Sequence, residues 1–474
     1  MPHYPDSQHA SHPPLSRRHL LHTLGAGLAL STGLAITASP RAWAQAAPVG
    51  TKAPGQGRMV VVFLRGAYDG LSAFVPYADP DYYKLRPNIG IAAPDGTLQT
   101  ALKLDNTFAM HPAMAPLMPL WQQGVLSFVP AAGLPAPNRS HFDAQYQMEV
   151  GSVGKTSGVP GWMNKLAALR ASPTALGVGE ANPAILAGAA KVKLIPQGQA
   201  AERTGVLANA NQRQALLDLY AGDDTVSTAF RQGADSRMQS AQELSLEKTS
   251  ADTRRGMYMR ESNLRESNLR EAKRSTQPLE KDAAPANTAA QNAQMLAASN
   301  GAADPVGLQL DAYHLGTLMR NDRSLSLGFL SAGGWDTHAN QGSATGQLAD
   351  KLGNLAKGIA QLRQDFNQPG DTIVVMSEFG RTSAENGTKG TDHGFGNALW
   401  VLGNPIAGGQ WHGQWTGMAR ANLNENRDLP AHHDYRAVLA QVLRSTFALS
   451  DSALATVLPG AQWDTRLDGL LRKA

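Results

Sequence analysis

The sequence predicts an α/β fold: a mostly parallel central sheet with helices on both faces, carrying a polar surface insertion. Three observations lead there. Apolar runs at 59–64 (MVVVFL) and 372–376 are too continuous for half-buried strands, and strands buried on both faces belong to parallel sheets, while 325–330 (LSLGFL) returns as an alternating strand. Each run ends in a loop bearing acidic or histidine side chains. Stretches with helical spacing lie between them, clearest in Leu348, Leu352, Leu355, Ile359, Leu362 and Phe366. Strand, polar loop, helix is the repeating unit of a layered sheet.

The elements follow in order. Residues 1–44 read as an export leader: Arg17-Arg18, then a mild apolar stretch rich in Gly, Ala and Thr, then Ala42-Trp43-Ala44, with cleavage expected after Ala44. An uncleaved N-terminal anchor is the alternative. Residues 45–57 are a flexible lead-in, and 58–474 are expected to form one α/β hydrolase-like domain. After the first strand, Gly66-Ala67-Tyr68-Asp69-Gly70 breaks the chain. Residues 111–123 read as helix despite Pro116 and Pro119, 125–129 as a short strand, and 139–150 as a helix whose first turn carries Ser140, His141 and Asp143. From 233 to 305 large apolar residues become scarce and Arg-Glu-Ser-Asn-Leu is repeated in tandem, so this stretch is expected to be a partly helical surface insertion with little core and little chemistry. The strand 325–330, the helix 346–366, the strand 372–376, the strand 398–402 and a last helix at 434–447 complete the order.

Composition narrows the function. The chain has 474 residues, 42% hydrophobic and 17% charged, an ordinary globular balance. Its formal charge is +4, part of which comes from Arg17, Arg18 and Arg41 in the leader. No basic block stands beside aromatic residues, so neither nucleic acid nor an anionic membrane surface is an expected partner. No later apolar run is long enough to span a bilayer. The absence of cysteine excludes disulfides, thiolate metal sites and a cysteine nucleophile.

Polar residues at the ends of parallel strands converge on one sheet edge, where α/β proteins bind ligands. Here these are Asp69, Asp336, His338, Glu378, Asp392 and His393. So many carboxylates and imidazoles at one rim call for a cation, and a divalent ion (Zn, Mn, Ca or Mg) suits the set. Ser140, with His141 beside it, is the candidate nucleophile at a helix start that favours anions. Arg139 or Arg381 could clamp an oxyanion. Each residue also has a structural reading: Ser140 as an N-cap, Asp69 closing a turn with Gly70, Glu378 pairing with Arg381, Asp336 and His338 as a hydrogen-bonded pair, and Asp392-His393 as a surface turn. His111 fits a helix start, and His432-His433 a cap or surface role.

The segments VVVFLRGAYDGLSAFVPYADPDYYKLRP, HPAMAPLMPLWQQG, NRSHFDAQ, GGWDTHANQG, VVMSEFGRT and GTDHGFGN, with the arginine-pair leader, closely resemble the bacterial exported family known as domain of unknown function 1501. That family in turn looks like a distant branch of the alkaline phosphatase and sulfatase superfamily. The resemblance implies metal at a sheet edge, with Asp69 matching the ligand after the first strand, Asp336 and His338 the middle pair, and His393 the late histidine. The superfamily's Asp-His after the penultimate strand matches either Ser377-Glu378 or Asp392-His393, and no residue matches the nucleophile unambiguously. Two functions follow as expectations. One is an exported metal-dependent hydrolase of phosphate or sulfate esters, carried to the periplasm or beyond by the twin-arginine translocase and acting on an anionic small-molecule ester. The other is a catalytically degenerate periplasmic binding or assembly factor.

Overall fold

Side chains alternate across a strand, and in Met59–Leu64 both sets are buried. Val60, Val62 and Leu64 join one apolar cluster, while Met59, Val61 and Phe63 join another. A strand enclosed on both faces needs a helical layer above and below, and both are present. The helices Leu308–Asn321 and Gln347–Asp365 cover one face; His141–Val150, Trp162–Ala168 and Tyr435–Phe447 cover the other. The computed structural model describes residues 57–154, 157–170, 175–262 and 288–473. The leader, nearly all of the lead-in and most of the tandem repeat lie outside them.

Eleven strands run along the described chain: β1 Met59–Leu64, β2 Phe74–Val75, β3 Leu102–Lys103, β4 Ala109–Met110, β5 Leu126–Gly133, β6 Ala175–Val178, β7 Val192–Ile195, β8 Leu327–Ala332, β9 Thr372–Met376, β10 Asn397–Gly403 and β11 His433–Asp434. Eight form the main sheet in the order β11-β5-β10-β9-β1-β8-β6-β7, and β2-β4-β3 form a small antiparallel sheet. All main-sheet pairings are parallel except those of β10, which runs against both β5 and β9. The fold is therefore α/β with a mostly parallel sheet, as expected, and β10 is the one strand of it that runs against its neighbours.

The reversed strand positions the site. The C-terminal ends of β1, β5, β8 and β9 open on one edge. His393 precedes β10, so in an all-parallel sheet it would fall on the far edge; the reversal of β10 delivers it to the edge shared by the others.

The remaining differences are local. Residues 112–117 are a 3-10 turn, followed by a short α-helix at Met118–Gln122, because Pro116 and Pro119 each lack the N–H that a regular helix needs. His111 caps that turn, its Nδ1 accepting from the Ala113 N–H. His433 is buried rather than superficial, held by Asp464 and by the Gln414 N–H. The polar insertion contributes more than expected. Its long helix Thr225–Ser262 sends Leu244 into the core, and its later helix Ala289–Ala298 packs toward the sheet edge that carries the histidines. No helix among the described residues is long and apolar enough to cross a membrane.

Candidate functional site

Four side chains from three separate segments meet at the sheet edge. His141 is the first residue of the helix His141–Val150, in the connection after β5. Asp336 and His338 lie on the loop after β8, where the extended Asp-x-His spacing turns both to one side. His393 lies just before β10. The Nε2 atoms of His141 and His393 are 2.9 Å apart, and those of His338 and His393 3.1 Å apart. Asp336 Oδ1 stands 2.9 Å from His338 Nε2, 3.2 Å from His393 Nε2 and 3.5 Å from His141 Nε2. His141, Asp336 and His393 satisfy the spacing of a metal-holding group, and His338 adjoins them.

The other ring nitrogens settle the tautomers. His141 Nδ1 lies 2.7 Å from Glu378 Oε1, His338 Nδ1 2.9 Å from Asp392 Oδ1, and His393 Nδ1 2.9 Å from the Arg139 carbonyl. All three partners only accept, so each Nδ1 carries the proton and donates it. Neutral rings then aim three Nε2 lone pairs at one another and at a carboxylate. A single shared proton can relieve the His141–His393 contact, yet His338 Nε2 still faces both His393 Nε2 and Asp336 Oδ1. One divalent cation between them would satisfy the His141, Asp336 and His393 atoms together, with His338 beside it. Atoms around a zinc ion at about 2.0–2.1 Å sit roughly 3.3 Å from one another in a tetrahedron, and the contacts here span 2.9–3.5 Å. Asp336 Oδ2 is buried without a hydrogen-bond partner, a further sign that this carboxylate is arranged for a charge beyond its protein neighbours.

Electrostatics agree. Burial opposes a charge on His141, but Asp336 and Glu378 outweigh it and raise its pKa to about 9. Asp336 is driven far below the usual carboxylate range: burial works against this, and its contacts with the three imidazoles, together with the Arg381 guanidinium, overcome it.

The sequence candidates separate into those that line the cluster, those that support it and those that lie elsewhere. Glu378 is a support rather than a donor to the cluster. It is fully buried; Oε1 accepts from His141, the Gly66 N–H at 2.8 Å and Gln145 at 2.9 Å, and Oε2 accepts from Ser377. It forms no pair with Arg381. Asp392 stands behind His338 in the same way, further bonded by Asn386. Asp69, expected among the ligands, is spoken for elsewhere: Arg86 grips it at 2.5 and 3.1 Å, and Ser72 and Gln341 donate to it, while it caps the short turn after β1. Arg86, a buried cation the sequence reading passed over, explains the departure.

The two clamp candidates are also committed. Arg381 is buried, with one nitrogen 2.6 Å from Asp336 Oδ1 and two bonds to Thr391. Arg139 pairs with Glu425 and Asp428, and only its carbonyl reaches the site. Ser140 is exposed and occupies the N-cap position without a side-chain capping bond. A residue not anticipated is Gln145, one turn after His141. Its amide nitrogen donates to Glu378 and the Ala298 carbonyl, and its oxygen accepts from Arg65 and Asn300. The i, i+4 spacing from His141 was the available signal.

A family model described as Protein of unknown function (DUF1501) matches residues 56–458. The chain belongs to the DUF1501 family. A comparison with curated proteins returned no match. The matched range takes in every cluster residue of this DUF1501 protein, from His141 to His393, along with Glu378 and Asp392 behind them.

Proposed function

We propose that this chain is an exported, metal-dependent hydrolase of phosphate or sulfate esters, with His141, Asp336, His338 and His393 holding one divalent cation. The observation that carries the reading is the convergence of three imidazole lone pairs, each fixed by an Nδ1–H donated to an acceptor behind it. This is the arrangement in which histidine binds metal. A cation held there polarises a phosphoryl or sulfuryl oxygen and lowers the pKa of a nearby water.

The protein's own groups supply the rest. Glu378 and Asp392 fix two rings and raise their basicity, while Arg381 anchors Asp336 in one orientation. The side chains of His338 and His393 are each 21% exposed, so the cluster opens to solvent on their side. The start of the helix His141–Val150 places backbone N–H groups beside that opening, where an anionic ester is favoured. Water suits this site better as nucleophile than Ser140, which makes no hydrogen bond to the cluster. The leader sequence supports export by the twin-arginine translocase to the periplasm or beyond.

The test is the metal content of the purified mature chain, with a panel of phosphate and sulfate esters. About one ion per chain, with turnover lost in Asp336→Asn and His393→Ala, is the expected result. A chain that holds no divalent metal and gains no esterase activity from any would overturn the proposal. One observation favours the second reading, a catalytically degenerate binding or assembly factor: the two clamp candidates, Arg139 and Arg381, are committed to carboxylates, and no hydroxyl among the described residues bonds to the side chains of the cluster. Stoichiometric metal without turnover of any ester would select it.

A further inference from the structure

Among the described residues, the insertion reaches the cluster through the side chain of Gln294. Gln294, on the helix Ala289–Ala298, places its amide nitrogen 3.4 Å from His338 Nε2 and makes no other hydrogen bond among the described residues. The helix behind it is anchored at both ends. Thr288 and Gln291 form a reciprocal capping box at its start. At its far end the Ala298 carbonyl accepts from Gln145, Ser299 Oγ accepts from the Gly334 N–H at 2.8 Å, and the Gly333 N–H reaches the Ala303 carbonyl at 2.6 Å. Asp304 pairs with Lys351 just beyond. Gly333 and Gly334 begin the loop that carries Asp336 and His338, so the backbone bearing Gln294 is tied to the backbone bearing two of the cluster residues.

Resting on the metal reading above, we propose that Gln294 supplies an amide oxygen as a fifth donor to the cation held by His141, Asp336, His338 and His393. His338 Nε2 carries a lone pair, because its Nδ1 hydrogen goes to Asp392, so the Gln294 N–H now points at the position a cation shares. A cation repels an N–H and attracts the other end of the same amide. The two ends exchange by a half-turn about the terminal torsion, which is broad and two-fold and therefore costs little. The bond it gives up is long for an N–H donor. A carbonyl oxygen beside three imidazoles and a carboxylate also moves the preference of the site toward harder ions such as Mn2+ relative to Zn2+.

Chelator competition on the mature chain, with Zn2+ and Mn2+ as probes, tests this in wild type, Gln294→Ala and Gln294→Glu. The expected result is a roughly 10-fold loss of Mn2+ affinity in Gln294→Ala, a smaller loss for Zn2+, and recovery in Gln294→Glu, which restores an oxygen. In Co2+-loaded protein, Gln294→Ala should absorb more strongly in the visible as the shell falls from five donors to four. Gln294 is exposed, so the variants keep the wild-type thermal midpoint without metal. Unchanged affinities and spectrum in a Gln294→Ala chain that binds metal would overturn this inference and leave the four-residue site standing. A wild-type chain that binds neither ion would overturn both.

Discussion

At the scale of single residues the site depends on what stands behind each ring. Glu378 illustrates this, since one buried oxygen receives His141 Nδ1, the Gly66 N–H and Gln145. Glu378→Gln keeps the size and removes the charge, so His141 becomes a weaker donor and metal affinity should fall by about 10- to 100-fold in a chelator titration. Without metal, His141 takes a proton in the cation's stead. Its folded pKa of about 9 lies above the ordinary value of about 6.5. The stabilisation from its protonation is therefore complete below about pH 6.5 and is lost as pH rises through about 9. From that difference it amounts to about 3 kcal/mol. In EDTA-treated protein, the urea midpoint of wild type should exceed that of His141→Gln at pH 6, and the gap should close by pH 10. Metal affinity should climb over the same interval, because the proton leaves as the ion enters. An unchanging gap between the two proteins would show that His141 does not titrate this way.

At the scale of elements, β10 decides whether the donors meet at all, and glycines let the loop after β9 lie against its entry. A Cβ on Gly380 would fall 1.9 Å from the Gly396 carbonyl oxygen, a backbone atom that cannot swing aside. Gly380→Ala should therefore push the 393–397 segment away, lowering stability by about 1–3 kcal/mol and weakening metal binding with it; denaturant unfolding and metal titration on one sample check both. These dependencies also explain what could be read in the sequence. The buried runs of β1, β8 and β9 and the amphipathic helix Gln347–Asp365 announced themselves through hydrophobic pattern, and Asp336, His338 and His393 through their place at strand ends. The direction of β10 was hidden, because a strand buried on both faces reads alike whichever way it runs. The fate of Asp69 was hidden as well, since only the fold brings Arg86 to it. Arg381 and Glu378 were visible as a local Glu-x-x-Arg pair, but the loop sends one to Asp336 and the other to His141. Gln294 lay in a stretch whose composition promised only surface; a low apolar content says that a segment forms little core, and nothing about where its polar groups end.

At the scale of the whole molecule, a cation at this site would act as a cross-link. Its donors come from residues 141, 336 to 338 and 393, so the ion joins the connection after β5, the loop after β8 and the entry to β10. An unfolded chain holds these segments apart and offers no such set, so binding free energy becomes folding free energy. At a free metal concentration 100 times Kd, the gain is about 2.7 kcal/mol. Differential scanning calorimetry should thus show a midpoint that rises with metal concentration in wild type. In Asp336→Asn the rise should shrink: the shared oxygen loses its charge, and Arg381, buried against it, loses its counter-ion, so the variant should also begin from a lower metal-free midpoint. Gln145→Leu separates the two effects. It leaves all four donors in place but strips Glu378 of one hydrogen bond and Arg65 of another. Its metal-free midpoint should fall while a metal-dependent rise remains. Equal metal-dependent rises in wild type and Asp336→Asn would mean that the ion binds elsewhere and that these three segments are joined by packing alone.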